Sequence, residues 1–243
     1  MVETVRIAMW SGPRALSTAM MRAWENRPDC IVVDEPLYGA YLAETGLDHP
    51  MRDEIIAAME CNAAAVGASM ATIGGAPVVY QKHMTHHLLP SMPRGWADGL
   101  RNAFLIRRPD KVLASYDQKR PAPSLADIGI EQQAELFDRM IAQRKQPPVV
   151  DADDVQADPK GVLSRLCHAL EVPFDDAMLS WPPGPRESDG IWASHWYDSV
   201  WKSTGFAPPK DKALSLSPSL AEMAAQAQPL YDKLAQHRIR PGC

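Results

Sequence analysis

Five short apolar runs divide the chain, and each is followed by residues spaced as in a helix. Val5–Met9, the IVVD run from Ile31, Val78–Tyr80, Ala103–Ile106 and Val149–Asp151 are brief and rich in β-branched or apolar residues, which predicts strands. Apolar positions at a 3.6-residue period predict a first helix over about Ala15–Glu25. A second is predicted over Arg52–Met70, with Ile55, Ile56, Met59, Ala63 and Val66 on one face. A third opens at Pro109 and turns Val112, Leu113 and Tyr116 inward, and a fourth covers Glu131–Arg144 with Leu136, Phe137, Met140 and Ile141 inside. Asp158-Pro159 reads as N-cap and first turn of a helix to about Leu170. Ser217-Pro218 opens the last helix, which runs to about Leu234. Strands alternating with helices predict an α/β fold, a three-layer α/β/α arrangement around a central parallel sheet of about five strands. No linker or repeat interrupts it, so residues 1–243 read as one domain. From Trp181 to about residue 210 the periodicity lapses into Pro, Gly and Trp. That is long for a structureless loop, and it predicts a lid.

The first strand-turn-helix unit carries the most chemistry. In WSGPRALSTAMM (Trp10–Met21) an apolar strand meets a Gly-Pro turn and a helix start. Such a start aims free backbone N–H groups and the positive end of the helix dipole at the turn, which suits an anion. Gly12, Pro13, Arg14, Ala15, Leu16, Ser17 and Thr18 are therefore candidate phosphate-binding residues, with Arg14 adding a fixed bidentate charge. The loop is P-loop-like but lacks the second Gly and the Lys of the nucleoside triphosphate version.

Other candidates fall at predicted strand ends, where open parallel sheets bind ligands. Asp34-Glu35-Pro36 puts two carboxylates there, and Pro36 predicts an extended Glu35. Lys82 and His83 follow the third strand, with His86 and His87 a turn later. The three histidines lack a carboxylate or Cys set at ligand spacing, so no metal site is expected. Arg107-Arg108 closes the fourth strand as a second anion site, with Ser115 two helical turns on. In the Trp-rich segment, Arg186 and Lys202 are candidates for phosphate, and Trp192 or Trp196 for stacking on a base.

Composition narrows the classes. A net charge of −5 argues against a broad nucleic-acid-binding face. No apolar run approaches the roughly 18–20 residues that span a bilayer. Glu3 and Arg6 lead straight into a strand, so no signal peptide is expected, and the four scattered cysteines (Cys30, Cys61, Cys167, Cys243) read as reduced. These features predict a cytoplasmic protein without membrane or nucleic-acid partners.

Three segments share one resemblance. GPRALST is similar to the loop with which sulfotransferases hold the 5′-phosphosulfate of 3′-phosphoadenylyl sulfate (PAPS). Arg107 to Ser115, R-RPDKVLA-S, resembles that family's 3′-phosphate motif at its usual spacing, and VVDADDVQADPKGVLSRLCHALEVPF resembles its later strand-helix unit. The DEPLY stretch is similar to bacterial and carbohydrate sulfotransferases, where a Glu near this point serves as base. The pattern also resembles sulfotransferase-like proteins labelled as related to branched-chain aminotransferases, although aminotransferase chemistry needs a pyridoxal Lys in a different fold.

The resemblance implies sulfuryl transfer from PAPS to a hydroxyl or amine of a small-molecule acceptor, with PAP as product and no metal. Arg14, the loop amides, Ser17 and Thr18 would serve the transferring group, and Arg107 and Ser115 the 3′-phosphate. The base stays open between Glu35 and His83. Ala15-Leu16 replace the family's usual Ser-Gly, and the Gly-rich, Lys-containing C-terminal loop is absent in its usual form, so the Trp-rich segment, with Arg186, would stand in. The alternatives are a small-molecule kinase or nucleotide hydrolase on the same scaffold, and a PAP- or nucleotide-binding protein without catalysis.

Overall fold

The computed structural model describes residues 4–209 and 215–242. Glu3, Cys243 and the end of the expected lid at residue 210 lie outside the described residues. Five strands, β1 (Val5–Ser11), β2 (Cys30–Asp34), β3 (Val78–Met84), β4 (Arg101–Ile106) and β5 (Val149–Asp151), form one sheet in the order β2-β3-β1-β4-β5. Every pairing is parallel. The helices are α1 (Ser17–Glu25), α2 (Tyr38–Thr45), α3 (Arg52–Ala58), α4 (Ala63–Thr72), α5 (Pro109–Asp117), α6 (Leu125–Ile128), α7 (Ile130–Ala142), α8 (Ala152–Ala157), α9 (Pro159–Ala169), α10 (Ala193–Trp196), α11 (Asp198–Trp201) and α12 (Pro218–Ala235).

The strands are buried on both faces because helices cover both. On β1, Ile7 and Met9 pack with Trp24, Tyr80 and Leu163 on one side. Ala8 and Trp10 pack with Phe104, Phe137 and Leu234 on the other. Trp10 is fully enclosed and donates its indole N–H to Asn102 Oδ1 at 2.8 Å. The expected three-layer architecture is present.

Four local expectations are corrected. The Arg52–Met70 helix is two helices, α3 and α4, bent by 57°. Met59 turns extended, and Asn62 caps α4 by accepting from the amides of Ala64 and Ala65. That cap outcompetes continuous helix, as Asn does wherever its side chain can claim free N–H groups. The first helix starts at Ser17, not Ala15, because Leu16 is left-handed at φ 71°. β3 runs on through Met84, so Lys82 and His83 lie inside a strand and face opposite sides of it. Ile141, expected inside, is 40% exposed near the end of α7.

The Trp-rich segment is packed rather than structureless. Ser180 bridges to Gly205, and Trp181, Trp192 and Tyr197 are buried in the core between them. Its anchor to α1 is Asp189, which pairs with the buried Arg22 and accepts from Trp201 Nε1 at 3.0 Å. Among the described residues no single helix is long and apolar enough to cross a membrane.

Candidate active site

The turn from β1 into α1 begins with Gly12. A Cβ there would stand 2.5 Å from the carbonyl oxygen of Ile128, so only glycine lets the α6 backbone approach. Gly12→Ala is expected to cost about 1–3 kcal/mol of stability, as overpacked sites do, read as a lower urea midpoint at unchanged slope. Beyond it Arg14 (φ 56°) and Leu16 (φ 71°) are both left-handed, and no side chain caps α1. The first amides of α1 therefore keep their hydrogens for a ligand.

Two arginines converge on this turn. Arg14 Nε donates to Ser115 Oγ at 3.0 Å, and Arg107 Nη1 donates to the carbonyl oxygen of Arg14 at 2.6 Å. Burial lowers the pKa of both guanidinium groups, and Arg107 lowers that of Arg14 further. Among the described residues neither pairs with a carboxylate within 4.0 Å, and the buried Arg107 Nε has no partner. Two half-desolvated positive charges held together without a counter-charge make a site that an anion stabilises. Arg14, Leu16, Ser17, Thr18, Arg107 and Ser115 all line one cavity of about 250 Å3, whose far wall is Trp196, Val200 and Phe206 of the Trp-rich segment.

A second, smaller cavity of about 90 Å3 shares Arg14, Ser17, Thr18, Trp196 and Tyr197 with the first. Its own wall carries Glu35, Tyr38, His49, Lys82 and His87. The two spaces therefore meet at the start of α1. At the base of the second, Lys82 Nζ donates to Asp34 Oδ1 (2.8 Å), Glu35 Oε1 (2.6 Å) and Tyr197 Oη (2.5 Å). Tyr197 Oη in turn donates to Asp34 Oδ2 at 2.7 Å. Burial alone would lower the pKa of Lys82, but the two carboxylates outweigh it and raise it. Burial raises the Glu35 pKa, and Lys82 only partly offsets this. Glu35 Oε1 is taken by Lys82, while Oε2 lies 3.9 Å from His87 Nδ1. A carboxylate more basic than usual, with one oxygen uncommitted by any hydrogen bond, can take a proton.

Glu35 is not extended, as Pro36 predicted, but left-handed at φ 44°. Its amide continues the ladder by donating to the carbonyl oxygen of Lys82 at 2.9 Å, and its own carbonyl accepts from Tyr38 N at 3.0 Å. Those ties and the ion pair overrule the local preference.

His83 lines neither cavity. It lies on the opposite face of β3 from Lys82, stacked on Trp10 at 4.4 Å, with Nε2 3.0 Å from Gln81 Oε1. Gln81 gives its amide hydrogen to the carbonyl oxygen of Met70, so His83 donates and carries its proton on Nε2. Burial pushes its pKa down to about 3. As a choice for the base it is corrected by this placement. Arg186 also lines neither cavity; its side chain turns back to the carbonyl oxygen of Pro182. Gly12 and Ala15 border a small space beneath the turn instead of either cavity, whereas Pro13 reaches the smaller one.

Sequence reasoning named Asp34 and Lys82 at strand ends without pairing them, and it did not select Tyr38, His49 or Tyr197 for the site. A lysine at an inward position of a buried strand was a usable signal, because such a charge needs carboxylates. For Tyr197 there was none, since only folding carries it across 163 residues to Asp34.

Comparison with known proteins bears on the family and the fold. A sulfotransferase-domain family model matches residues 5–238. Two Arabidopsis thaliana proteins, named branched-chain-amino-acid aminotransferase-like protein 1 and 2, are 37% identical over 238 residues and 35% identical over 233, covering 98% and 95% of this chain. The chain spans only 43% and 41% of their lengths. Among solved structures, the sulfotransferase from Alicyclobacillus acidocaldarius has a TM-score of 0.58 at 14% identity over 98% of each chain. The sulfotransferase domain from the curacin biosynthetic pathway has 0.53 at 16%, covering 99% of this chain and all of that one. At these identities the two structures speak for the fold. The family model spans nearly the whole chain, and the chain belongs to the sulfotransferase-domain family.

Proposed function

We propose that this chain transfers a sulfuryl group from PAPS to a hydroxyl or amine of a small acceptor. The observation that carries the reading is the Arg14–Arg107 pair, half-buried without a carboxylate beside an uncapped α1. Arg107 and Ser115 would hold the 3′-phosphate that distinguishes PAPS from ATP. The α1 amides, Arg14, Ser17 and Thr18 would face the 5′-phosphosulfate, and Trp196 and Phe206 offer stacking faces to the adenine. When bound, PAPS supplies an activated sulfuryl group for in-line displacement. The chain supplies position and charge, as enzymes of phosphoryl transfer do. Arg14 stabilises the charge that builds on the leaving 5′-phosphate, and one such preorganised donor is worth about 2.7–4 kcal/mol in the transition state. Glu35 Oε2 takes the acceptor proton, while Lys82 stays charged beside Asp34.

The aminotransferase wording in the two relatives' names does not carry over to Lys82. Its amine is engaged by Asp34, Glu35 and Tyr197, and the two carboxylates favour its charged form.

Titration with PAP, against ATP, ADP and AMP at matched concentrations, tests the reading. At about 100 times Kd a ligand adds about 2.7 kcal/mol, or roughly 5–11 °C in Tm for a domain of this size. PAP is expected to give that shift, ATP is not expected to match it, and Arg107→Ala should abolish it. A flat PAP response beside a magnesium-dependent ATP shift would overturn the proposal in favour of a kinase or nucleotide hydrolase.

A further inference from the structure

Tyr38 lines the smaller cavity together with Glu35, and its hydroxyl stands at the end of a chain of fixed donors. His49 Nδ1 lies 2.9 Å from Tyr38 Oη, and the other ring nitrogen, Nε2, meets Arg120 Nη1. A guanidinium has hydrogens to give and no lone pair to receive one, so His49 Nε2 must accept. Burial and then the Arg120 charge push the His49 pKa down to about 4, so the ring is neutral near pH 7. Its one proton is therefore on Nδ1 and is donated to Tyr38 Oη. With that N–H donated to Tyr38 Oη, the tyrosine's own O–H has no partner on His49 and is available to whatever enters beside Glu35.

We propose that Arg120, His49 and Tyr38 form a proton-ordering chain that fixes Tyr38 as a donor to the acceptor's nucleophilic atom, and thereby selects hydroxyl acceptors over amines. The selection rests on the sulfuryl-transfer reading of the site; the proton order does not. A hydroxyl oxygen has two lone pairs. One accepts from Tyr38, and the other forms the new O–S bond as the bond from sulfur to the 5′-phosphate oxygen breaks. The leaving phosphate keeps the electron pair of that bond, and the acceptor's proton passes to Glu35 Oε2. A neutral amine has a single lone pair. Given to Tyr38, it cannot attack sulfur; kept for sulfur, it leaves the Tyr38 O–H buried without a partner. Either way the amine is slower by about tenfold or more, the scale of one unsatisfied buried hydrogen bond. Tyr38 is thus a specificity-determining residue. His49 and Arg120 act through it as positioning residues.

Two measurements on the full chain decide this. The first is nitrogen NMR of the chain labelled with 15N-histidine at pH 7, with the His49 signals assigned by their loss in His49→Gln. The expected result is a protonated Nδ1 and a bare Nε2, and the opposite tautomer overturns the chain. The second supplies PAPS with the isosteric pair phenol and aniline and quantifies phenyl sulfate against phenyl sulfamate. The wild type is expected to favour phenol, and Tyr38→Phe, assayed below its own Tm, to lower the phenol-to-aniline ratio by about tenfold or more. A structural role for Tyr38 would slow both compounds alike. A ratio that ignores Tyr38→Phe overturns the proposal whatever the tautomer. Product from neither compound, with no PAP response, defeats the transfer reading and the selection with it, while the tautomer result still decides the proton order.

Discussion

Glu35→Gln is expected to lower kcat about 10²–10⁴-fold, the usual contribution of a positioned base, while the PAP-induced thermal shift survives. The fold should tolerate the change. Lys82 is shared between two carboxylates, so removing one charge leaves a balanced Lys82–Asp34 pair rather than an orphaned cation. The amide oxygen of Gln can still accept from Lys82 but cannot take a proton. The wild-type pH profile carries a second signature. Burial holds the Glu35 pKa above its ordinary value of 4.5, and a base is active only when deprotonated. The acid limb of kcat should therefore lie above the ordinary carboxylate range and disappear with Glu35→Gln. Steady-state kinetics across pH checks both, and unchanged turnover in the variant would remove Glu35 from the role.

Acid should weaken this protein before its carboxylates are neutralised. His83, His86 and His87 are buried in the folded chain, and burial lowers the pKa of each, to about 3 for His83 and His86. In the unfolded chain they titrate near 6.5. Below that pH the unfolded state binds protons that the folded state refuses, so stability is full above about 6.5 and is lost as pH falls. At pH 5 each histidine costs about 2 kcal/mol, or about 6 kcal/mol for the three, against a typical total of about 5–15 kcal/mol. The raised pKa of buried Glu35 and Asp151 works the other way and offsets part of this. Urea midpoints at pH 7 and pH 5 check the expectation. A flat profile would mean that the histidines are solvated or charged at neutral pH.

The sequence carried those parts of the molecule whose cause is local. Apolar runs fixed the five strands, the Gly-Pro turn after β1 marked the anion cradle, and Arg107 and Ser115 fell two turns apart as the spacing required. What stayed hidden depended on partners far along the chain. His83 read as a site residue because Tyr80 looked like the end of its strand, yet pairing with β1 extends β3 to Met84 and turns His83 toward Trp10. Lys82, one residue earlier, points the other way and meets Asp34 and Glu35. A single step in a strand thus exchanges a site residue for a core residue, and strand ends are where sequence patterns are least certain. The Trp-rich segment has no period because its order comes from Asp189 and Tyr197 gripping α1 and β2, and from Trp181 bonding Ser203 across the segment.

The turn after β1 holds Arg14 and Leu16 in a backbone shape that costs a residue with a side chain roughly 1–2 kcal/mol. Glycine would sit there without penalty, but it would also leave the turn free to wander. Here the strain is clamped by Arg107 on the Arg14 carbonyl and by Ser115 on the Arg14 side chain. The cradle resembles a sprung arch more than a hinge. On the proposed reading, little chain entropy would be left to lose when an anion arrives, and the incoming charge would meet donors that are already aimed.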